Sequence, residues 1–343
     1  MWVAQWICLP LALTLADGAS DYGFHEQPTI RVMTLNSWVF GTNVTNGLQK
    51  MAEHILQVHA DIVVLQEYFT MFDANQMMVQ QLMQAVNDKM DHGYTLHGLR
   101  RYGPDLQYDT PNRTLLNKVK RQLILSKFIV VPGSYVHNAW VPVATAITVT
   151  IEPTYSKPFN LTVWNFHLDP WTYGPYILCG VPDNHWPVNE TTRVKETELM
   201  LAEIAEREDP DTPIILAGDA NSPSHLDWIQ RTQYIHCKTH QGWEWEVTKT
   251  IDDANFVDSY REVHPDPLTK PGNTWSPVEI ELPQDRIDYI FYKGKGLIKA
   301  VLSETYAGAV VCLSACYWSD GSDLNGWPSD HRAVITDFKV IVQ

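Results

Sequence analysis

Apolar and polar positions along the chain follow two periods, which predict many strands interspersed with a few helices. Alternation over residues 30–38 and 333–342 is typical of amphipathic strands, whereas the continuous apolar runs that end at Glu67 and Gly218 are typical of buried strands. Further strands are predicted over residues 122–131, 144–151, 159–168, 286–291 and 297–302, and helices over 46–59, 73–90 and 191–207. This mixture predicts an α/β or α+β protein.

Polar side chains stand where these apolar runs begin or stop. The residues concerned are Asn36, Glu67, His167, Asp219, Asn221, Asp288, Asp330 and His331. Each one alone could be a helix cap, a turn residue or a satisfied polar group of the core. Burying a carboxylate is costly unless the carboxylate is paired or bound to a metal ion, so the ordered set predicts one shared site.

The chemistry of this set suits a metal-assisted phosphoester hydrolase. Mg²⁺ prefers oxygen ligands and is often held by only one or two carboxylates, for which Glu67 and Asp330 are the candidates. Asp219 and Asn221 are suited to orienting an attacking water. Donors for the charged phosphate oxygens are available from Asn36, His167 and His331. A buried Asp288 could fix the tautomer of His331 and raise the pKa of its imidazole.

Six short blocks carry these residues, in the order 34–38, 65–67, 165–169, 218–221, 286–290 and 329–331. They resemble the motifs of the endonuclease/exonuclease/phosphatase superfamily, which includes deoxyribonuclease-I-like nucleases, neutral sphingomyelinases and inositol phosphatases. The resemblance spans residues 30–342, which is nearly the whole chain.

The resemblance implies an α+β (α/β) fold, a four-layer α/β/β/α sandwich of two packed, mainly antiparallel sheets flanked by helices. It implies Mg²⁺ or Mn²⁺ as the cofactor, with Glu67 as a ligand, Asp330 in support and Asn36 beside both metal and phosphate. The other roles that it implies are phosphate stabilisation by His167 and Asn221, orientation of the attacking water by Asp219, and pairing of Asp288 with His331.

The N-terminal residues 1–20 have the pattern of a secretory signal peptide, although a basic residue before the apolar run is missing. One catalytic domain is expected over residues 21–343, in a secreted, extracellular protein. Sequons for N-glycosylation at Asn43, Asn112, Asn160 and Asn189 agree with export. Cys179, Cys237, Cys312 and Cys316 would then form two disulfides in one of three connectivities; zinc binding is the alternative, but the cysteine spacing is poor for it.

The substrate is predicted less sharply than the chemistry. A net charge of −15 disfavours binding of nucleic acid through a broad basic face. The aromatic loop 167–176 either contacts substrate, with Tyr173 as the candidate, or packs on the scaffold. The apolar segment 307–318 is either a strand pinned in the core by a disulfide or a peripheral membrane contact.

The sequence therefore predicts a secreted, divalent-metal-dependent phosphoesterase that hydrolyses a phosphodiester or phosphomonoester by in-line attack of water. The alternatives are a deoxyribonuclease-I-like endonuclease, a sphingomyelinase-like lipid phosphodiesterase, and a secreted binding protein on the same scaffold. The expected partner is the phosphoester substrate itself, and the sequence gives no sign of an obligate protein partner.

Overall fold

The computed structural model of the protein describes residues 28–67, 78, 81–82, 84–86, 122–137, 143–153, 156–182, 187–237, 242–308 and 326–341. The strands are β1 Thr29–Asn36, β2 Ile62–Gln66, β3 Gln122–Ser126, β4 Ile129–Val130, β5 Val136–His137, β6 Ala144–Ile151, β7 Phe159–His167, β8 Ile214–Asp219, β9 Val257–Asp258, β10 Asp288–Lys293, β11 Ile298–Tyr306 and β12 Ala333–Val340. The helices are α1 Gly47–Val58, α2 Gly174–Leu178, α3 Thr191–Arg207, α4 Gln233–His236, α5 Glu246–Asp253 and α6 Ser259–Val263.

The strands form two sheets. The first has the order β11-β12-β1-β2-β3, and the second has the order β4-β6-β7-β8-β10-β9, with β5 also paired to β6. Each sheet contains one parallel pair, β1 with β2 and β7 with β8, and the other pairs are antiparallel. The prediction of two mainly antiparallel sheets is therefore confirmed.

Three hydrophobic clusters separate four layers. One lies between the first sheet and α1, the second lies between the two sheets, and the third lies between the second sheet and helices α3 and α5. Strand β1 contributes to two of these clusters: Ile30 and Val32 point into the core between the sheets, whereas Met33 and Leu35 pack under α1. Side chains alternate between the faces of a strand, so a strand covered on both sides is apolar throughout.

The predicted strands and helices in the described ranges are confirmed, with one correction. Residues 122–131 are not one strand, because the chain turns between Ser126 and Ile129 and passes from the first sheet to the second. The Ser126 side chain accepts a hydrogen bond from the Phe128 amide at 3.0 Å, which closes this turn. Of the predicted helix 73–90, the described positions 78, 81–82 and 84–86 are helical.

Several sequence predictions lie wholly or partly outside the described residues. These are the signal peptide, the sequon at Asn112, the pair Cys312 and Cys316, and most of the apolar segment 307–318. Cys179 is bonded to Cys237, which selects the partners of one predicted disulfide. Among the described residues, no helix is both long and apolar enough to cross a membrane.

Candidate active site

The polar site continues the face of the strands that fills the core between the sheets. In β8, Ile215 and Ala217 enter that core, and the next side chain of the same parity is Asp219. In β7, Leu161 and Val163 are likewise followed at two-residue intervals by Asn165 and then by His167. Since the period of a strand is two residues, the alternation that buries the apolar side chains also brings polar side chains to one end of the sandwich.

Strand pairing aligns three of the predicted site residues across the second sheet. His167 at the end of β7 is the register partner of Asp219 at the end of β8. Asp219 is in turn the register partner of Asp288 at the start of β10. Residues opposite each other on neighbouring strands have adjacent side chains, so the three residues form a row across the ends of these strands.

Asn36 connects this row to the first sheet. Its side-chain amide nitrogen, Nδ2, lies 2.9 Å from Asp219 Oδ2 and 3.3 Å from Glu67 Oε1. The backbone carbonyl of Asn36 accepts a 2.6 Å hydrogen bond from the Ser329 hydroxyl, whose oxygen accepts from the His331 amide. The Ser-Asp-His block is thereby fixed at the start of β12, next to the end of β1.

A fully buried pair of amides, which sequence reasoning did not assign, lies beneath the site between the two sheets. Gln66 Nε2 donates to Asn165 Oδ1 at 2.8 Å, and Asn165 Nδ2 donates to the carbonyls of Leu65 and Leu123. These bonds tie β7 of one sheet to β2 and β3 of the other. The sequence feature that could have revealed this pair is Asn165 itself, a polar residue at a position of β7 whose side chain points into the core between the sheets.

His331 and Asp288 form a buried pair beside Asp219. Nδ1 of His331 lies 2.9 Å from Asp288 Oδ2, and its Nε2 lies 3.8 Å from Asp219 Oδ2. Burial alone would lower the pKa of His331, but the charges of Asp288 and Asp219 outweigh burial and raise this pKa to about 10. His331 is therefore an imidazolium at neutral pH that donates from Nδ1 to Asp288 and directs Nε2 towards Asp219.

Asp219 is the centre of the arrangement. It is fully buried, and its Oδ2 lies 3.6 Å from His167 Nε2 as well as near Asn36 and His331. Burial, reinforced by the charge of Asp288, raises the pKa of Asp219 to about 7. A carboxylate with such a pKa can accept a proton near neutral pH, as a general base must.

Two residues of the site have left-handed backbone conformations. Asn221 has φ 48°, and its amide donates to Asp219 Oδ1 at 2.8 Å while its side chain donates to the Leu168 carbonyl. Glu67 has φ 61°, and its Oε2 accepts from the amide of Val39, which has φ 58°. Positive φ is uncommon outside glycine and costs free energy that the surrounding contacts must offset, which is typical of functional sites.

The donor set fits a divalent cation. Oδ1 of Asp330 and Oδ1 of Asp288 are buried and have no hydrogen-bond partner among the described residues. The pKa of Asp330 is raised to about 7, first by burial and further by the charge of Glu67, although the charge of His331 opposes this. A bound cation would relieve this excess of buried negative charge.

Two sets of residues could hold that cation. Oxygen or nitrogen atoms of Asp219, Asp288 and His331 lie within 4.8 Å of one another. However, Nδ1 of His331 is already hydrogen-bonded to Asp288, and Mg²⁺ prefers oxygen ligands to imidazole. The second set is the one taken from the sequence, Glu67, Asp330 and Asn36, and its oxygen-rich composition suits Mg²⁺ better.

Tyr173 is placed differently from the other candidates. Its hydroxyl lies 3.0 Å from Oδ2 of the fully buried Asp285, which also accepts a hydrogen bond from the Trp228 indole. The Tyr173 hydroxyl therefore donates its proton in a hydrogen bond to a buried residue of the fold. Contact of Tyr173 with substrate stays a prediction. Only the aromatic ring could make such a contact without breaking the hydrogen bond to Asp285.

Comparison with known proteins identifies the family. The model of the endonuclease/exonuclease/phosphatase family matches residues 33–331, and the chain belongs to that family. Its members are generally hydrolases of phosphoester bonds and typically use divalent ions such as Mg²⁺.

Three known proteins are similar to most of the chain. The Caenorhabditis elegans protein named Uncharacterized protein F14F9.5 is 32% identical over 337 residues, covering 91% of this chain and 92% of that protein. An endonuclease/exonuclease/phosphatase structure from Beutenbergia cavernae DSM 12333 has a TM-score of 0.51 at 17% identity, covering 91% of this chain and 72% of the other. A family protein from Leptotrichia buccalis C-1013-b also has a TM-score of 0.51, at 14% identity, covering 91% and 99%. At such identities the two structures support the fold alone.

Proposed function

We propose that this protein is a secreted, divalent-metal-dependent phosphoesterase that hydrolyses a phosphodiester or phosphomonoester by in-line attack of water. The observation that carries the proposal is the environment of Asp219 Oδ2, which lies 2.9 Å from Asn36 Nδ2, 3.6 Å from His167 Nε2 and 3.8 Å from His331 Nε2. A buried carboxylate surrounded by three donors provides a base and anion-binding groups in one place.

Asp219 orients the attacking water and accepts its proton. The raised pKa of Asp219, about 7, matches that task near neutral pH. The Asn221 amide bond to Asp219 Oδ1 holds the carboxylate in one orientation, in which Oδ2 accepts from Asn36 and is also the oxygen that faces the water. His167 and the Asn221 side chain donate to oxygens of the phosphoryl group. To do so, the Asn221 side chain gives up its hydrogen bond to the Leu168 carbonyl.

His331 supplies fixed positive charge. Its partner Asp288 keeps the imidazolium protonated and oriented, so that Nε2–H can donate to a phosphate oxygen that gains charge in the transition state. Such donors cost no reorganisation during the reaction because the surrounding fold already holds them in place.

Glu67, Asp330 and Asn36 would hold the cation, Mg²⁺ or Mn²⁺. When bound, the ion supplies positive charge that polarises the phosphoryl group and offsets charge on the leaving oxygen. The Val39 amide and the Asn36 side chain each contact one oxygen of Glu67, which orients its carboxylate.

Export is supported by features that lie far apart in the chain. The uncharged apolar run over residues 2–15 suits a signal peptide, and the Cys179–Cys237 disulfide suits an oxidising compartment. Three of the four sequons, at Asn43, Asn160 and Asn189, are on exposed residues. Within this proposal, peripheral membrane contact through 307–318 would let the enzyme reach a lipid phosphoester.

The test is hydrolysis by the purified, secreted protein of plasmid DNA, sphingomyelin, bis-p-nitrophenyl phosphate and p-nitrophenyl phosphate, each with Mg²⁺ and with EDTA. We expect turnover of at least one substrate, which EDTA abolishes and added Mg²⁺ or Mn²⁺ restores. The substrate that is cleaved also distinguishes a nuclease from a lipid or small-molecule phosphoesterase.

Two variants sharpen this measurement. Glu67→Gln should raise the Mg²⁺ concentration needed for half-maximal rate by at least about tenfold, because it weakens the proposed metal ligand. Glu206→Gln, on the exposed side of α3, is the matched control and should behave as wild type. Full activity after exhaustive chelation would remove the metal from the mechanism, and silence of folded protein across the panel would favour the binding-protein alternative.

A further inference from the structure

An aromatic wall, consisting of Trp275 and Tyr176, lies against the predicted catalytic histidine. The rings of Trp275 and His331 have centroids 4.6 Å apart with 53° between their planes. The same two residues form an antiparallel backbone bridge. Both Trp275 and Tyr176 are partly exposed, so the wall borders the site rather than the core.

The hydroxyl of Tyr176 has a proton to donate. Trp275 Nε1 lies 2.9 Å from the Tyr176 hydroxyl oxygen, and an indole nitrogen can only donate, so this oxygen is the acceptor. Among the described residues, none accepts the proton of the Tyr176 hydroxyl. Burial is the main reason that the pKa of Tyr176 is raised to about 12, so the proton is retained at neutral pH.

Tyr173, one helical turn earlier, provides an internal contrast. Its hydroxyl donates to the buried Asp285 and has no proton left for a ligand. The two rings touch edge to face at 4.9 Å, so they share one environment but have different hydrogen-bonding capacity. The tyrosine chosen from the sequence is thus the one that holds the loop, and its neighbour Tyr176 has the available donor.

The position of Tyr176 is fixed from both sides. Helix α2, which carries it, is held at its start by Tyr173 on Asp285, and Cys179 directly after its end is bonded to Cys237. Trp275 is held by two backbone hydrogen bonds with Asp285, each 2.9 Å long. A donor that is already oriented loses little entropy when it binds a ligand.

We propose that Tyr176 is a substrate-binding residue whose hydroxyl, positioned by Trp275, donates a hydrogen bond to a phosphate oxygen of the substrate beside His331. The inference rests on the proposed function, since it deepens the description of the same site. A neutral hydroxyl adds a donor next to the His331 imidazolium without adding charge, and a hydrogen bond to a charged acceptor such as phosphate is among the stronger ones. Trp275 acts through Tyr176 as a positioning residue.

The experiment measures equilibrium binding of inorganic phosphate and of phenylphosphonate to the full secreted protein with Mg²⁺, by titration calorimetry. Neither ligand contains an ester bond, so the measurement does not depend on turnover. We expect Tyr176→Phe, which removes only the hydroxyl, to weaken both ligands about tenfold, as expected for loss of one hydrogen bond to a charged group. Tyr234→Phe, on an exposed tyrosine of α4, is the matched control and should bind as wild type.

A double-mutant cycle tests the positioning role. Trp275→Phe removes the indole donor, and we expect a smaller loss of phosphate affinity than with Tyr176→Phe. The double variant should bind no more weakly than Tyr176→Phe alone, because Trp275 acts only through the missing hydroxyl. Fully additive losses would show that Trp275 contributes independently and would overturn its assignment as a positioning residue.

The outcomes separate this inference from the proposed function. Wild-type protein that binds phosphate but hydrolyses nothing would refute the hydrolase while leaving Tyr176 as a ligand-binding residue. Wild-type affinity in Tyr176→Phe, or no phosphate binding by the folded wild type, would overturn the inference. If Tyr176→Phe does not fold, Trp275→Phe decides: weaker binding supports the assignment and unchanged binding overturns it.

Discussion

Two clusters of buried carboxylates lie on the second sheet and its connections, and they differ in how their charges are balanced. In the Asp227 cluster, Oδ1 of Asp227 lies 2.5 Å from Arg261 Nε and Oδ2 lies 2.9 Å from Arg286 Nε. Arg286 also donates to Asp258 at 2.7 Å. Two carboxylates here face two guanidinium groups, so the cluster is electrically complete.

The Asp219 site has the opposite character. Asp219 faces another acid, Asp288, and the cation next to both is a single imidazolium rather than a guanidinium. Burial raises the pKa of both Asp219 and Asp227, but the charges of Arg286 and Arg261 bring that of Asp227 below its usual value, whereas that of Asp219 rises to about 7. Buried charges that are neutralised by opposite charges are typical of a structural role, whereas buried charges of one sign in excess are typical of a site that binds a ligand.

The largest expected effect comes from substitutions that remove the chemistry of the unbalanced cluster. Asp219→Asn and His331→Ala should each lower kcat/KM by about a thousandfold or more, because the base or the fixed positive charge is lost. The thermal midpoint of Asp219→Asn should not fall as far as that of an Asp227 variant, since this substitution removes a negative charge from a site with an excess of buried negative charge. His331→Ala should lower the midpoint further than Asp219→Asn, because it leaves Asp288 without its partner. Near-normal turnover in either purified, folded variant would refute the assigned roles.

The second effect concerns stability. Asp227→Ala leaves Arg261 and Arg286 buried without their shared acceptor, so the free energy of unfolding should fall by about 3–5 kcal/mol. Urea denaturation measures the loss, and kcat/KM per folded molecule should stay near wild type. The matched control Asp253→Ala, at an exposed residue of α5, should change stability by less than about 0.5 kcal/mol. A loss of turnover with unchanged stability in Asp227→Ala would make the Asp227 cluster part of the site.

Strand periodicity explains why most of the site could be predicted from the sequence. Asp219 follows Ile215 and Ala217 at two-residue intervals, and His167 follows Leu161 and Val163 at the same parity. The local pattern therefore determines the face and the strand end at which these polar side chains lie. The same logic could have identified Asn165, whose amide lies between the sheets.

Contacts between irregular segments could not be predicted in this way. Asp227 and Arg286 are separated by 59 residues, and the connections on either side of Asp227 have no period that relates the two. The choice between Tyr173 and Tyr176 depends on the partner of each hydroxyl: that of Tyr173 donates to Asp285, whereas that of Tyr176 accepts from the Trp275 indole. Both partners are about a hundred residues away in the chain. Tertiary contact, and not local pattern, decides such hydrogen bonds.

Arg286 and Asp288 illustrate both cases within one motif. They are two residues apart, yet Arg286 completes the Asp227 cluster while Asp288 pairs with His331 in the site. The recognised block 286–290 thus carries a scaffold role and a proposed catalytic role side by side. The sequence reveals the motif, and only the partners reveal which role belongs to which residue.

The smallest expected effect is a separation of the two clusters by pH. The folded-state pKa of Asp227 is lowered, so its contribution to stability is fully present above its unfolded pKa of about 3.9 and is lost as the pH falls through the lower folded value. The folded-state pKa of Asp219 is raised to about 7, so protonation of Asp219 favours the folded state as the pH falls from 8 to 5. That same protonation removes the base.

Between pH 8 and pH 5, kcat/KM should therefore decline while the thermal midpoint in EDTA holds or rises. A bound cation lowers the pKa of Asp219, so the midpoint of the activity profile should lie at or below pH 7 and move down as Mg²⁺ is added. Asp219→Asn should reduce the dependence of the thermal midpoint on pH in this range, to which the raised pKa values of Asp330 and His331 also contribute, and Asp227→Ala should leave this dependence unchanged. A thermal midpoint that drops together with activity would mean that acid unfolds the protein instead of protonating its base, and the two clusters would then not be separable by charge balance.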